Sequence, residues 1–261
     1  MCEIGDSPRI SYEYFEGFSD LEKSEIIVMN YGILVRRSFG NDAKQRFLRK
    51  LESVPPTKHP RLISDSDQNS VMSVLVPLIT VNNIPSVLLT KRSSNLRSHR
   101  GEVCFPGGRK DADETSQQTA LRETFEEIGI EPDNVEIWSG LKSVVRRQRD
   151  FVVTPIVGRI DENSLKTLKI NEQEVQAVIT VPLNEICQVA GYTRFKNAKN
   201  GVKYMLPVFD STKFTVHYNA QNQYLHSTQR IWGLSAVILH QAMCILNPDD
   251  NYNHDIVIKF F

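Results

Sequence analysis

The stretch Gly101–Ile130 constrains this chain more than any other, because it joins a Pro-Gly-Gly turn, a polar acidic loop and a carboxylate-rich helix. Leu121, Phe125 and Ile128 recur at i, i+4 and i+7, which predicts a helix from about Thr115 to Ile128 with these residues on one inward face. At roughly 100° per residue, Glu123, Glu126 and Glu127 then fall on the nearly opposite side. Glu123 and Glu127 stack one turn apart, and like charges so placed destabilise a helix by a few tenths of a kcal/mol. A divalent cation is the simplest compensation: hard oxygen ligands at this spacing suit Mg²⁺ or Mn²⁺, with waters and substrate phosphate completing the octahedron. For the cluster alone, a solvated acidic face is the bland alternative.

The surrounding order separates the two. Gly108, five residues, Glu114, seven residues, then Arg122-Glu123-Thr124-Phe125-Glu126-Glu127-Ile128-Gly129-Ile130 resembles the Nudix box, Gx5Ex7REUxEExGU with U bulky and aliphatic. The one departure is Thr124 at the first U position, which removes an expected apolar anchor and no ligand. Upstream, Leu88-Leu89-Thr90-Lys91-Arg92-Ser93, Arg97, Gly101 and Phe105-Pro106-Gly107-Gly108 resemble the signature of the coenzyme A diphosphatase branch of that superfamily. The two signatures cover Leu88–Ile130, about a sixth of the chain, and weaker similarity runs from about Ser73 to Leu246. Nothing before residue 70 takes part.

The resemblance implies a three-layer α/β/α sandwich and a metal-dependent diphosphatase. Glu123 and Glu127 match the principal metal carboxylates, Glu126 the third, and Gly108 the glycine whose carbonyl often faces the metal. Glu123 also fits the base that takes the proton of the attacking water, and sequence does not separate ligand from base. Arg122 can pair bidentately with Glu114 or Glu123 and so orient the carboxylates. A carboxylate outside the box often completes such a site; Glu174 is the candidate here, with Glu172 and Asp150 behind it. Coenzyme A carries a 3′-phosphate, so Lys91, Arg92, Arg97 and Arg100, with His99, become candidate substrate-binding residues. The implied substrates are coenzyme A, its acyl esters or its disulfide. The alternatives are ADP-ribose, NADH or a dinucleoside polyphosphate, or a non-catalytic nucleotide sensor. Sensors usually lose box carboxylates, and all four are present here.

Composition narrows the classes further. Hydrophobic content of 40% and charged content of 24% suit a soluble globular protein, and 31 basic against 31 acidic residues argue against a nucleic-acid partner. Cys2, Cys104, Cys187 and Cys244 show no CxxC spacing, which disfavours a zinc site and fits thiols in a reducing compartment. The longest apolar run, Ile231–Leu246, falls short of the ~20 residues a membrane span requires.

Along the chain, residues 1–28 hold seven acids against Arg9 and Lys23, whereas Met29–Lys50 holds six basic residues and one acid, Asp42. That reversal fits either a mitochondrial transit segment read from Met29 or an ordinary amphipathic helix over Asn41–Ser53 with Phe47, Leu48 and Leu51 turned inward. Mitochondrial, peroxisomal and cytoplasmic locations stay open, although Lys259-Phe260-Phe261 is no peroxisomal address. Residues 1–70 read as an extension ending in a Pro- and Ser/Asp-rich linker, 71–246 as the hydrolase domain, and 247–261 as a tail. Strands are expected at Val71–Ile79, Ser86–Thr90, Val135–Leu141, Phe151–Gly158 and Ala177–Val181. A short helix is expected at Asn184–Val189, a hairpin from Tyr204–Phe209 and Lys213–Tyr218, and a helix over Arg230–Leu246. Periodicity by itself supports a mixed α/β fold.

Overall fold

Val71–Val81 and Ile84–Arg92 are apolar almost without alternation, the pattern of strands covered on both faces. In the computed structural model, which describes residues 39–53, 71–145, 152–196, 203–220, 223–247 and 251–254, they form β1 and β2 at the centre of a nine-stranded sheet. Asn82 and Asn83, both at positive φ, make the two-residue turn between them, a conformation asparagine tolerates well. The other strands are β3 (Val103–Cys104), β4 (Gly107–Arg109), β5 (Val135–Gly140), β6 (Val144–Val145), β7 (Val152–Ile160), β8 (Val175–Pro182), β9 (Ala190–Lys196), β10 (Lys203–Ser211), β11 (Thr215–Asn219) and β12 (Gln229–Ile231).

The main order is β11-β8-β2-β1-β7-β5, with β3 on β2, β4 on β1 and β6 on β7. Only β1 and β7 run parallel in this sheet, pairing from Val71↔Val152 to Leu78↔Arg159. Period-two alternation sends Leu75, Ile79, Leu88, Ile156 and Val178 to one face, beneath helix α2 (Ser116–Ile128). Val76, Leu78, Val87, Leu89, Val157 and Ile179 face the other way, toward α1 (Asn41–Ser53) and α4 (Gly233–Leu246); α3 (Leu183–Val189) follows β8 and packs at this face through Ile186. The result is a mixed sheet with helices on both faces, a three-layer α/β/α sandwich.

Helix α1 is the amphipathic helix, its buried Phe47 ring 5.6 Å from that of Trp138. Residues 29–38 of the transit-segment alternative, the linker and the far C-terminus lie outside those described, as does Asp150.

The expected hairpin does not form. β11 pairs antiparallel with β8 in the main sheet, whereas β10 pairs with β9 and β12 in a separate three-stranded sheet of order β12-β10-β9. Buried Glu185 on α3 explains the parting, since its Oε1 accepts from the Thr212 and Lys213 amides, at 3.3 and 3.4 Å, where the chain leaves one sheet for the other. The last helix begins at Gly233, because Gln229–Ile231 is taken up as strand β12.

Candidate active site

The Pro-Gly-Gly turn is laid against the start of β1, where Ser73 pairs with Gly108 and Val74 with Gly107. Both glycines are required by close approach. A Cβ on Gly107, whose φ is +151°, would lie 2.4 Å from the Ser73 carbonyl oxygen, and one on Gly108 would lie 2.3 Å from the Glu123 carboxyl carbon. The backbone therefore runs directly over a box carboxylate.

Helix α2 starts at Thr115, whose hydroxyl accepts from the Gln118 amide while Gln118 returns a bond to Thr115, a reciprocal cap. It stops at Gly129, φ 73°, whose N–H bonds to the Phe125 carbonyl. Its inward face differs from the one predicted. Ala120, Thr124, Glu127 and Ile128 are buried, Leu121 is partly buried at the flank, and Phe125 is 41% exposed. Thr124 is no lost anchor: it sits under the helix and donates to the Ala120 carbonyl at 2.6 Å. Glu127, expected opposite the core, is only 3% exposed. The i, i+4, i+7 triad identified the helix correctly and its face in part: Ile128 is buried and Leu121 packs at the core's edge, while Phe125 turns outward and Glu127 inward.

Arg122 organises the outer carboxylates. It donates from Nε to Glu114 Oε1 at 2.7 Å and from one terminal nitrogen to Glu114 Oε2 at 3.2 Å and to the Arg109 carbonyl at 2.9 Å. The other terminal nitrogen lies 3.1 Å from Glu123 Oε1 and 3.0 Å from Glu126 Oε2. Those bonds, with one from Thr119, hold the Glu114 carboxyl down at about 2. The same hydrogen bond to Glu114, helped by the charge of Glu123, raises the Arg122 pKa.

The inner carboxylates behave oppositely. Burial pushes Glu127 up to about 8, opposed by the Arg92 guanidinium and reinforced by the charges of Glu174 and Glu123. Burial likewise raises Glu123, against the pull of Arg122. The Gly107 amide donates to the Glu127 carboxylate, yet Glu127 Oε2 is buried with no hydrogen-bond partner. A buried carboxylate oxygen left unpaired is costly. The donor set fits a hard cation, which would meet Oε2, oppose the Glu123–Glu127–Glu174 repulsion, and suit oxygen-only ligands. Among the described residues, however, no three His, Cys, Asp or Glu side chains converge as a preformed metal-ligand group. The salt bridges explain part of this, since Arg122 holds Glu126 and one oxygen of Glu123 to itself.

Glu174 comes to the site through backbone bonds that sequence does not announce. The last carbonyls of α2 lack helical partners, and the Lys169 and Asn171 amides supply them at 3.1 and 2.9 Å, to Ile128 and Glu127 respectively. Glu174 N then bonds to Asn171 O at 3.0 Å, and Ser93 N to Glu174 O at 2.7 Å. Glu172 is turned away to the Tyr218 hydroxyl.

The expected basic cradle is only partly assembled. Arg92 turns inward to Glu127 and Cys104, with its Nε buried and unpartnered. Lys91 is buried on β2, 3.4 Å from Gln229 Oε1. The β2–β8 register shifts between these two residues, and the two cations meet different partners, Gln229 and Glu127. Arg100 folds back on the Leu96 carbonyl, and Arg97 is exposed on the same loop. Burial, with the charge of Glu127, pushes the Cys104 thiol up to about 11, which fits a core residue and no nucleophile. The roles of Thr119, Asn171 and the Ser93 amide escaped sequence reasoning, because they are hydrogen bonds to groups brought near by the fold and leave no periodic signal.

The family profile described as NUDIX domain matches residues 70–205. The chain is 60% identical over 243 residues to Nudix hydrolase 3 of Caenorhabditis elegans, an alignment spanning 89% of this chain and 100% of that one. The chain belongs to the Nudix family. Other Nudix relatives are mitochondrial coenzyme A diphosphatase NUDT8 of Homo sapiens, 39% identical over 67% of this chain and 69% of that one, and peroxisomal coenzyme A diphosphatase NUDT7 of Mus musculus, 37% identical over 67% and 70%. The Nudix architecture is that of enzymes hydrolysing phosphoanhydrides in small nucleotide-derived substrates, typically with a divalent metal. Among the described residues, no helix of this Nudix protein is long and apolar enough to cross a membrane.

Proposed function

We propose that this Nudix hydrolase attacks, at phosphorus, a nucleoside diphosphate linked to a second moiety, and that coenzyme A and its esters stand in its substrate set beside ADP-ribose, NADH and dinucleoside polyphosphates. The observation that carries this reading is the buried Glu127 carboxylate with its unpaired oxygen, set against Glu123 and Glu174 below the Gly107–Gly108 turn. Glu127, Glu123, the Gly108 carbonyl and Glu174 would hold Mg²⁺ or Mn²⁺, with Glu126 at the rim. Bound there, the ion would neutralise phosphate oxygens and acidify water. Arg122 keeps the outer carboxylates in place, and Glu123, its pKa raised by burial, is suited to accept the proton of the attacking water.

Coenzyme A is supported by the Leu88–Gly108 signature and by two relatives that are named coenzyme A diphosphatases, and would be cut to 3′,5′-ADP and 4′-phosphopantetheine. The wider set is favoured by the different partners of Lys91 and Arg92 and the folding back of Arg100, so that these three cations do not gather at one point. Purified protein assayed on coenzyme A, 3′-dephospho-coenzyme A, ADP-ribose and NADH, with metal and with EDTA, decides. Metal-dependent turnover is expected; a clear preference for coenzyme A over its dephospho form selects that substrate, and equal rates select the wider set. Hydrolysis of none of them would refute the reading.

A further inference from the structure

The segment Gln223–Gln229 lies beyond the stretch matched by the NUDIX domain profile, yet it is tied to the residues that closely follow Arg92 and Glu174. Gln176 on β8, two residues past Glu174, donates from Nε2 to the Tyr224 carbonyl at 3.2 Å. Ser94, two residues past Arg92, donates to Gln223 Oε1 at 3.3 Å, and Asn219 Nδ2 donates to the Gln223 carbonyl at 3.1 Å. At the other end Gln229 Nε2 donates to the His226 carbonyl at 2.5 Å, and Lys91 Nζ donates to Gln229 Oε1. Between these ties Leu225 packs into the core. Gln176 is 3% exposed, so its amide is committed to holding this loop, and a buried amide left without that carbonyl would be costly.

Tyr224 is thereby held outward. At 74% exposure it is the most exposed large apolar side chain among the described residues, and still it is not loose. The His226 ring packs against it edge to face, with centroids 4.8 Å apart and planes at 86°. A tethered, braced and solvent-facing ring, carried on a loop bonded to the residues that follow Arg92 and Glu174, has the chemistry to receive a flat heterocycle. We propose that Tyr224, braced by His226, stacks on the purine base of the substrate nucleotide while the carboxylates engage its diphosphate. This rests on the nucleotide-substrate reading above. Stacking of this kind supplies affinity and tolerates any base with a π-face.

The probe is 1,N6-ethenoadenosine 5′-(α,β-methylene)diphosphate, whose fluorescence reports stacking and whose bridging carbon resists hydrolysis, so binding is read independently of turnover. With the full chain and Mg²⁺, Tyr224→Ala is expected to weaken binding about tenfold, the effect of losing one base stack. Tyr224→Phe should restore it to within about twofold, and the base-free methylenediphosphonate should compete equally well in all three proteins. For any nucleotide the enzyme hydrolyses, KM should rise in Tyr224→Ala while kcat stays within about twofold. Equal probe affinity in wild type and Tyr224→Ala, an equal loss in Tyr224→Phe, or no binding to the wild type overturns the proposal. Failure of the hydrolysis panel would remove the substrate reading, whereas loss of the stack with hydrolysis intact would remove this inference alone.

Discussion

Glu127 is where burial and charge conflict most openly. Its carboxyl has an ordinary pKa of 4.5 and sits near 8 in the fold, so between those values the native state holds more protons than the unfolded chain. Stability of the metal-free protein should therefore fall as pH rises from about 4.5 to about 8 and level off above. The limiting slope is about 1.4 kcal/mol per pH unit. Urea melts in EDTA across that range check the sign, and Glu127→Gln should flatten the slope. The same variant should lose at least about a hundredfold in turnover while gaining metal-free stability at pH 8, a split that simple unfolding would not produce. Glu114 runs the other way: its depressed pKa contributes stability above about 4.5 that disappears as pH falls through about 2. Acid titrations monitored by circular dichroism should show Glu114→Gln losing that acid-side dependence.

At the scale of the element, helix α2 tests how a consensus should be read. An aliphatic residue was expected at Thr124, but the site is closed around a hydroxyl bonded to Ala120. Thr124→Val, which loses the buried hydrogen bond to the Ala120 carbonyl, should cost about 0.5–1.5 kcal/mol, whereas Thr124→Leu should destabilise by about 1–3 kcal/mol through overpacking. Denaturant midpoints distinguish the two. Gly107→Ala should be worse than either, because its Cβ meets backbone on β1 that cannot step aside. Gly108→Ala should act on activity first, since the clashing group is the Glu123 carboxylate.

For the whole molecule, helix α1 closes the sheet face opposite the box helix. Phe39 and Phe47 both pack on Trp138, joining residues ahead of the NUDIX-matched stretch to the main core. Phe47→Ala should remove about 3–5 kcal/mol and still give one unfolding transition by fluorescence and circular dichroism. A separate early transition would mean that α1 folds independently of the sheet.

Much of this was legible before folding was considered. The box helix and the strands β1 and β2 rest on short-range spacing and composition, which operate within a few residues of themselves. Pairing across long separations was not legible. It sent β11 to β8 and β10 to β9, rotated Phe125 outward and Glu127 inward, and brought Glu174 beside the box through the amides that satisfy the end of α2. It also gave Lys91 and Arg92 different partners. Sequence alone determined which groups carry the chemistry, because residue type and local period are written there. Which of those groups meet was decided by tertiary structure, because a buried carboxylate, an orphaned carbonyl or a strand edge finds its partner only when distant segments close around it.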